Sequence, residues 1–132
     1  MRKKKILILE KIHEVGIKIL KKKFDVSINL NLNRKEIIKK IKNFNIIIIK
    51  STTNVDKELL NNATKLELLG RAGTGLDNID LKLIKKNKIK LISTPNLSTE
   101  AVADFTLMSI LLGIKNFLSA IKMVKKLDFR RN

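Results

Sequence analysis

The chain has 132 residues, with 29 Lys plus Arg against 12 Asp plus Glu and a formal net charge of +17. That length suits one domain of ordinary size, and 44% hydrophobic content is too much for a disordered chain even at this charge. With no Cys and a single His, His13, the sequence excludes disulfides, thiol nucleophiles and cysteine-ligated or multi-histidine metal sites.

Short apolar runs alternate with helical stretches along the chain. Lys5-Ile-Leu-Ile-Leu9 is continuous and branched-rich, which predicts a buried strand. From His13 to Lys22, a helix is predicted with Ile12, Val15, Ile19 and Leu20 at helical spacing. Phe24-Asp-Val-Ser-Ile28 alternates and predicts a strand with one exposed face. Asn33 is placed to cap the next helix, with Glu36 in capping-box position and Ile37, Ile38 and Ile41 as its buried stripe. Asn45–Ile49 predicts a strand buried on both faces, Asp56–Asn62 a short helix and Leu66–Gly70 a fourth strand. A helix over Leu81–Lys86 follows Asp80, and a fifth strand over Lys88–Ile92 ends at Pro95. Beyond it, Ser98 or Thr99 caps a helix that is apolar nearly all round, from Val102 to Leu112, and so wants neighbours on several sides. Asn116–Leu127 predicts a last amphipathic helix before the polar stub Asp128–Asn132.

Five strands alternating with helices predict an α/β fold with a doubly wound parallel sheet, because parallel neighbours need a crossover between them. In such sheets ligands lie beyond the carboxyl ends of the strands. The segments of interest are therefore Glu10–His13, Lys50–Asn54, Arg71–Asn78 and Ser93–Thr99.

The charge invites a nucleic-acid reading, but three features oppose it. The cations are 24 Lys and only 5 Arg, and Arg supplies the forked contacts to bases. No Trp or Tyr is present to stack on bases. Ile, Lys and Asn together make up 57 of 132 residues, as A/T-rich codons would produce without selection for a basic surface. No specific nucleic-acid partner is expected. The apolar run after the basic start is cut off by Glu10, too short for a signal peptide or a spanning helix, so the reading is a cytoplasmic chain with no membrane partner.

The most specific feature is Gly70-Arg-Ala-Gly-Thr-Gly75, which holds three of the five glycines in six positions. Glycines after a buried strand let backbone N–H groups approach and encircle an anion such as a carboxylate or phosphate. The order is not that of the dinucleotide fingerprint Gly-x-Gly-x-x-Gly, which occurs nowhere in the chain. The loop leads into Leu76-Asp-Asn-Ile-Asp80, where Asp77 and Asp80 can cap orphan N–H groups, and the fifth strand ends in Ser93-Thr-Pro-Asn96. With Glu100-Ala-Val-Ala-Asp104 and the earlier Ile49-Lys-Ser-Thr-Thr53, these motifs closely resemble the D-2-hydroxyacid dehydrogenases, most of all those acting on 3-phosphoglycerate.

That resemblance implies a flavodoxin-like substrate domain over residues 1–96. Residues 97–132 would then hold a crossing helix and the start of a Rossmann-type NAD-binding domain whose remainder is missing. It implies hydride transfer between the 2-position of a small anionic 2-hydroxy acid, such as 3-phosphoglycerate, and NAD. Arg71, Gly73, Thr74 and Gly75 would hold the substrate carboxylate, Thr74 would also lie near the nicotinamide, Lys50 and Ser51 would face the substrate, and Asn96 would border the cleft. No metal is implied. The family's catalytic Arg, Glu and His, like its fingerprint, fall downstream of Asn132, so the chain alone is expected to be inactive, with a homo-oligomer or a complementing cofactor-domain chain as possible partners. His13 does not match the catalytic His and reads as a structural or surface residue. Four departures from the family pattern stand out: Lys50 replaces an Arg, Asp104 a Glu, Ser98 an Asn, and Lys88 a Gly, which leaves Asn87 to take the left-handed cap. The alternative reading is a stand-alone flavodoxin-like module that binds an anion or a partner without catalysis.

Overall fold

The computed structural model describes residues 3–115 and 117–125. Asn116, residues 126 and 127 at the end of the expected last helix, and the stub 128–132 lie outside the described residues. The chain divides into two compact units, Met1–Asn96 and Leu97–Asn132.

In the first unit, β1 (Lys5–Ile8), β2 (Asp25–Ile28), β3 (Ile46–Ile49), β4 (Leu68–Arg71) and β5 (Lys90–Ser93) form one sheet in the order β2-β1-β3-β4-β5, and every pair is parallel. The connections are α1 (Glu14–Lys23), α2 (Arg34–Ile41), α3 (Lys57–Asn62) and α4 (Leu81–Lys86). The expected strand starts at Leu66 and Lys88 move two residues on, to Leu68 and Lys90. Leu66 N donates to Ala63 O and Ile89 N to Ile84 O, so both residues belong to turns although their side chains are buried.

The core lies on both faces of the sheet. On one face α2, α3 and α4 pack Ile41, Leu59 and Ile84 over Leu7, Ile47 and Leu69. On the other, α1 sets Ile17 and Leu20 against Ile6, Ile8 and Ile46. Val15 and Ile19, expected on the buried stripe, are 55% and 60% exposed. Ile12 and Leu20 do make the contact, and Ile17 joins them in place of Val15 and Ile19, because the strand residues Ile6, Ile8 and Ile46 select which helix face is covered.

The caps explain where most helices begin. His13 accepts from Val15 N, Asp56 from Leu59 N and Asp80 from Leu83 N. Asn33 and Glu36 form the reciprocal capping box. Lys88, at φ 55°, takes the left-handed position before β5, whereas Asn87 keeps φ −82°. The missing glycine is thus replaced in place by a lysine, at some backbone strain.

The second unit begins at Leu97. It contains α5 (Thr99–Ile114) and α6 (Phe117–Lys125). Ser98 occupies the N-cap of α5 without a side-chain cap hydrogen bond, so the expected cap is positional only. The hydroxyls of Thr106 and Ser109 turn back to the carbonyls of Val102 and Phe105, both at 2.7 Å, which leaves the helix surface apolar. No residue of α5 is buried, and Phe105 is 65% exposed. Among the described residues no single helix is long and apolar enough to cross a membrane.

Candidate functional site

The order β2-β1-β3-β4-β5 puts a topological switch point between β1 and β3, where the chain's crossovers change direction and a crevice opens at the carboxyl ends of the strands. Loops after β1, β3, β4 and β5 all emerge at this edge.

Lys50 and Ser51 follow β3, and Arg71 ends β4 beside them, since Ile49 pairs with Arg71. Ala72 N donates to Ile49 O at 2.9 Å, carrying the ladder one step into the glycine loop. Gly73 then adopts φ +150°, a conformation that side chains resist. A Cβ there would meet Arg71 Nη1 at 1.5 Å and Cζ at 2.8 Å, because the guanidinium lies across the loop. A Cβ on Gly75 would meet Asp77 Oδ1 at 2.7 Å. Both glycines therefore make room for polar side chains folded over the loop.

Gly73 N donates to Arg71 O at 3.0 Å, so of the three N–H groups expected to face an anion, this one turns inward. Among the described residues no hydrogen bond engages the N–H of Thr74 or Gly75. Gly73 O accepts from Thr94 N at 3.2 Å, and Thr74 Oγ1 donates to Thr94 O at 3.4 Å, tying the loop to the end of β5. Asn96, at φ 65°, closes this segment two residues later. Lys50, Ser51, Arg71, Gly73, Thr74, Gly75 and Asn96 thus gather along the ends of β3, β4 and β5.

Two fasteners hold the loops. Asn78 donates through Nδ2 to the carbonyls of Lys50 at 3.0 Å and Thr53 at 2.7 Å. The bridge between Val55 N and Asn78 O at 2.8 Å, and between Asp80 N and Val55 O at 2.9 Å, adds a backbone seam. Glu10, at the end of β1, accepts from Thr52 N at 3.2 Å and Thr53 N at 3.1 Å. Partial burial works against its charge, but hydrogen bonds from the 50–53 loop outweigh that and hold its carboxyl at about 2, below the ordinary 4.5. Both residues fall in segments of interest after the strands, but no role was legible for either: Glu10 showed as the end of an apolar run and Asn78 as one letter of a motif.

A cleft of about 880 Å³ opens at the switch point, walled by Leu9, Glu10, Leu32 and the 50–54 loop. Lys50 and Ser51 line it, whereas Arg71 to Gly75 lie outside it on the β4 side. At its rim Arg34 pairs with Asp56 and Glu58 and donates to Asn54 O at 2.8 Å. Burial slightly opposes the charge of Arg34, but the two carboxylates raise its affinity for protons. Burial likewise opposes the charge of Asp56, but the hydrogen bond from Leu59 N and then Arg34 lower its affinity for protons. That cation is committed to structure, so among the described residues Lys11 and Lys50 are the lining cations left for a ligand. Chemically, the edge offers free N–H donors, two lysines and an arginine to an anion. Among the described residues no cluster of three or more His, Asp or Glu side chains is placed to hold a metal ion.

The sequence profile of the D-isomer specific 2-hydroxyacid dehydrogenase catalytic domain matches residues 6–124. The chain is 32% identical over 127 residues to a D-3-phosphoglycerate dehydrogenase of Methanocaldococcus jannaschii, covering 96% of this chain and 24% of that protein. It is 29% identical over 132 residues to a glyoxylate reductase of Pyrococcus horikoshii, covering 98% and 40%. Among solved structures, D-lactate dehydrogenase from Aquifex aeolicus, complexed with NAD and lactic acid, superimposes with a TM-score of 0.84 at 25% identity, covering 96% of this chain and 39% of that one. The chain spans about a quarter to two fifths of the length of these relatives.

Proposed function

Because the chain belongs to the D-isomer specific 2-hydroxyacid dehydrogenase family, we propose that residues 1–96 are the substrate-binding part of an NAD-dependent oxidoreductase for a small anionic 2-hydroxy acid such as 3-phosphoglycerate. Residues 97–132 are then the crossing helix and the opening of the cofactor domain. The observation that supports this most is that Lys50, after β3, and the uncommitted N–H groups of Thr74 and Gly75, after β4, follow neighbouring strands at the same end of the sheet.

Oxidising such a substrate removes a hydride from C2 and a proton from the hydroxyl, leaving a ketone. When bound, the nicotinamide supplies the hydride acceptor. This chain's part is to bind and orient. The N–H groups of Thr74 and Gly75 hold the carboxylate and so fix the face that C2 presents. Lys50 and Arg71 offset the substrate's negative charge, Lys50 as a point charge where a guanidinium would form a fork. Ser51 and Asn96 border the bound acid. The chain fits NAD only at Thr74, since it has no Gly-x-Gly-x-x-Gly turn for the pyrophosphate. No described residue is assigned to the substrate proton, so the share of the reaction argued for these residues is binding and orientation.

Titration of the chain with 3-phosphoglycerate, followed by amide chemical shifts, tests this reading. The Thr74 and Gly75 amides are expected to move most, and Lys50→Ala to weaken binding by about 1.5–3 kcal/mol, the range for a hydrogen bond to a charged group. Unchanged affinity in Lys50→Ala would reject its role. The isolated chain is expected to reduce no NAD with this substrate, and turnover by the pure chain would reject the division of labour.

A further inference from the structure

The all-parallel sheet sorts the charges of the first unit onto two poles. The ladder runs on across the strand starts: Asp25 N donates to Lys4 O, Asn45 N to Lys5 O, Glu67 N to Asn45 O and Lys90 N to Glu67 O, at 2.8–3.1 Å. Every crossover helix ends at this pole, opposite the candidate site. The last turns of α1, α2 and α4 deliver Lys21–Lys23, Lys39, Lys40, Lys85 and Lys86. Seven further lysines join them from turns and strand starts: Lys3–Lys5, Lys42 and Lys65, with Lys88 and Lys90. Fourteen lysines therefore meet two carboxylates, Asp25 and Glu67, and Glu67 is paired with Lys4.

The opposite pole is balanced. Lys11, Arg34, Lys35, Lys50, Lys57, Arg71 and Lys82 match Glu10, Glu14, Glu36, Asp56, Glu58, Asp77 and Asp80, seven against seven. A coding bias towards lysine acts on the whole sequence and does not choose a pole. The preference of cations for helix C-termini accounts for the seven lysines in last turns. It extends to Lys42, the C-cap of α2, but does not account for the other six on turns and strand starts.

We propose that the strand-start pole is a docking surface for the phosphate backbone of a nucleic acid, read without base contacts. All but one of the fourteen lysines are exposed. A cleft of about 660 Å³ lined by Lys3, Lys5 and Lys21 gives the surface a recess. Lysines act on phosphates as point charges, and counterion release rewards many such contacts without shape complementarity. A membrane surface fits less well. Phe24 and Phe44, the phenylalanines at this pole, are packed into the core, so no apolar anchor accompanies the charge. A second copy is repelled by the same charge. The surface is remote from the anion site and does not depend on the reading of it.

The test is fluorescence anisotropy of the 132-residue chain with a labelled mixed-sequence duplex over about 0.05–0.2 M salt. Micromolar binding is expected near 0.15 M, with log K falling linearly against log salt at a slope near −4 to −5 for about five phosphate contacts. Replacing Lys21, Lys22 and Lys23 together by Gln should lower affinity at least about tenfold and flatten the slope by about 2–3. The charge-matched change at the other pole, Lys35, Lys57 and Lys82 to Gln, should alter affinity by no more than about twofold. Equal losses from the two triple variants would overturn the proposal. So would the absence of saturable binding at 0.15 M, or tighter binding to phosphatidylserine vesicles than to the duplex.

Discussion

Replacing Glu10 by Gln isolates the contribution of one carboxylate to the 50–53 loop. The carboxyl is held at about 2, against an ordinary 4.5. Fully counted, that difference corresponds to about 3.4 kcal/mol of stability. Glu10 sits at the rim of an open cleft, and solvent screening brings the figure to about 1–2 kcal/mol. The sign follows from the direction. A carboxyl whose folded value is depressed stabilises the fold fully above its unfolded value near 4.5. It loses that stabilisation as pH falls towards about 2. Urea unfolding followed by circular dichroism at several pH values measures it. Near neutrality Glu10→Gln should unfold about 1–2 kcal/mol more easily, equivalent to about 5–15 °C for a unit of this size. The gap should shrink as pH falls from about 4.5 and close below about 2, where both chains carry an uncharged side chain at this position. The generic effect of protonating the other carboxylates cancels in the difference. A gap between the chains that stays constant from pH 7 to pH 2.5 would refute the assignment.

Gly73→Ala should force Arg71 off the loop, costing about 1–3 kcal/mol in stability and abolishing the Thr74 and Gly75 amide shifts with 3-phosphoglycerate; unchanged shifts would contradict the close packing seen at this position. Asn78→Ala removes two hydrogen bonds to loop carbonyls and should destabilise by about 1–3 kcal/mol, with faster hydrogen exchange confined to residues 50–55. Lys88→Gly relieves a left-handed lysine and should raise the thermal midpoint, by about 0.5–1 kcal/mol equivalent; a lower midpoint would mean that the lysine side chain contributes more than its backbone loses.

Where the sequence carried a local signal, it located the structure. The short apolar runs at Leu7, Ile47 and Leu69 read as strands, and their alternation with helices led to a parallel sheet. The capping box at Asn33 and Glu36 is likewise a local code. The α1 stripe was only half legible, because beside Ile12 and Leu20 the residues Val15 and Ile19 fit helical spacing as well as Ile17 does. Only the surface of β1 and β3 decides between them. The glycine loop was legible as a glycine-rich turn after a buried strand, but Gly73 N turning to Arg71 was not, because it depends on how the guanidinium folds back. Glu10 and Asn78 were illegible for a stronger reason. Their partners lie 42 and 28 residues away, and nothing local in the sequence encodes that pairing.

The Asn78 seam also bears on timing. Its two side-chain bonds and the Val55 bridge bind the glycine-loop side to the 50–53 side within one unit. A loop fastened in this way surrenders its conformational freedom when the unit folds, not when a ligand arrives. The 50–55 and 76–80 segments are therefore in register before any ligand binds, and binding there carries no further ordering cost for them.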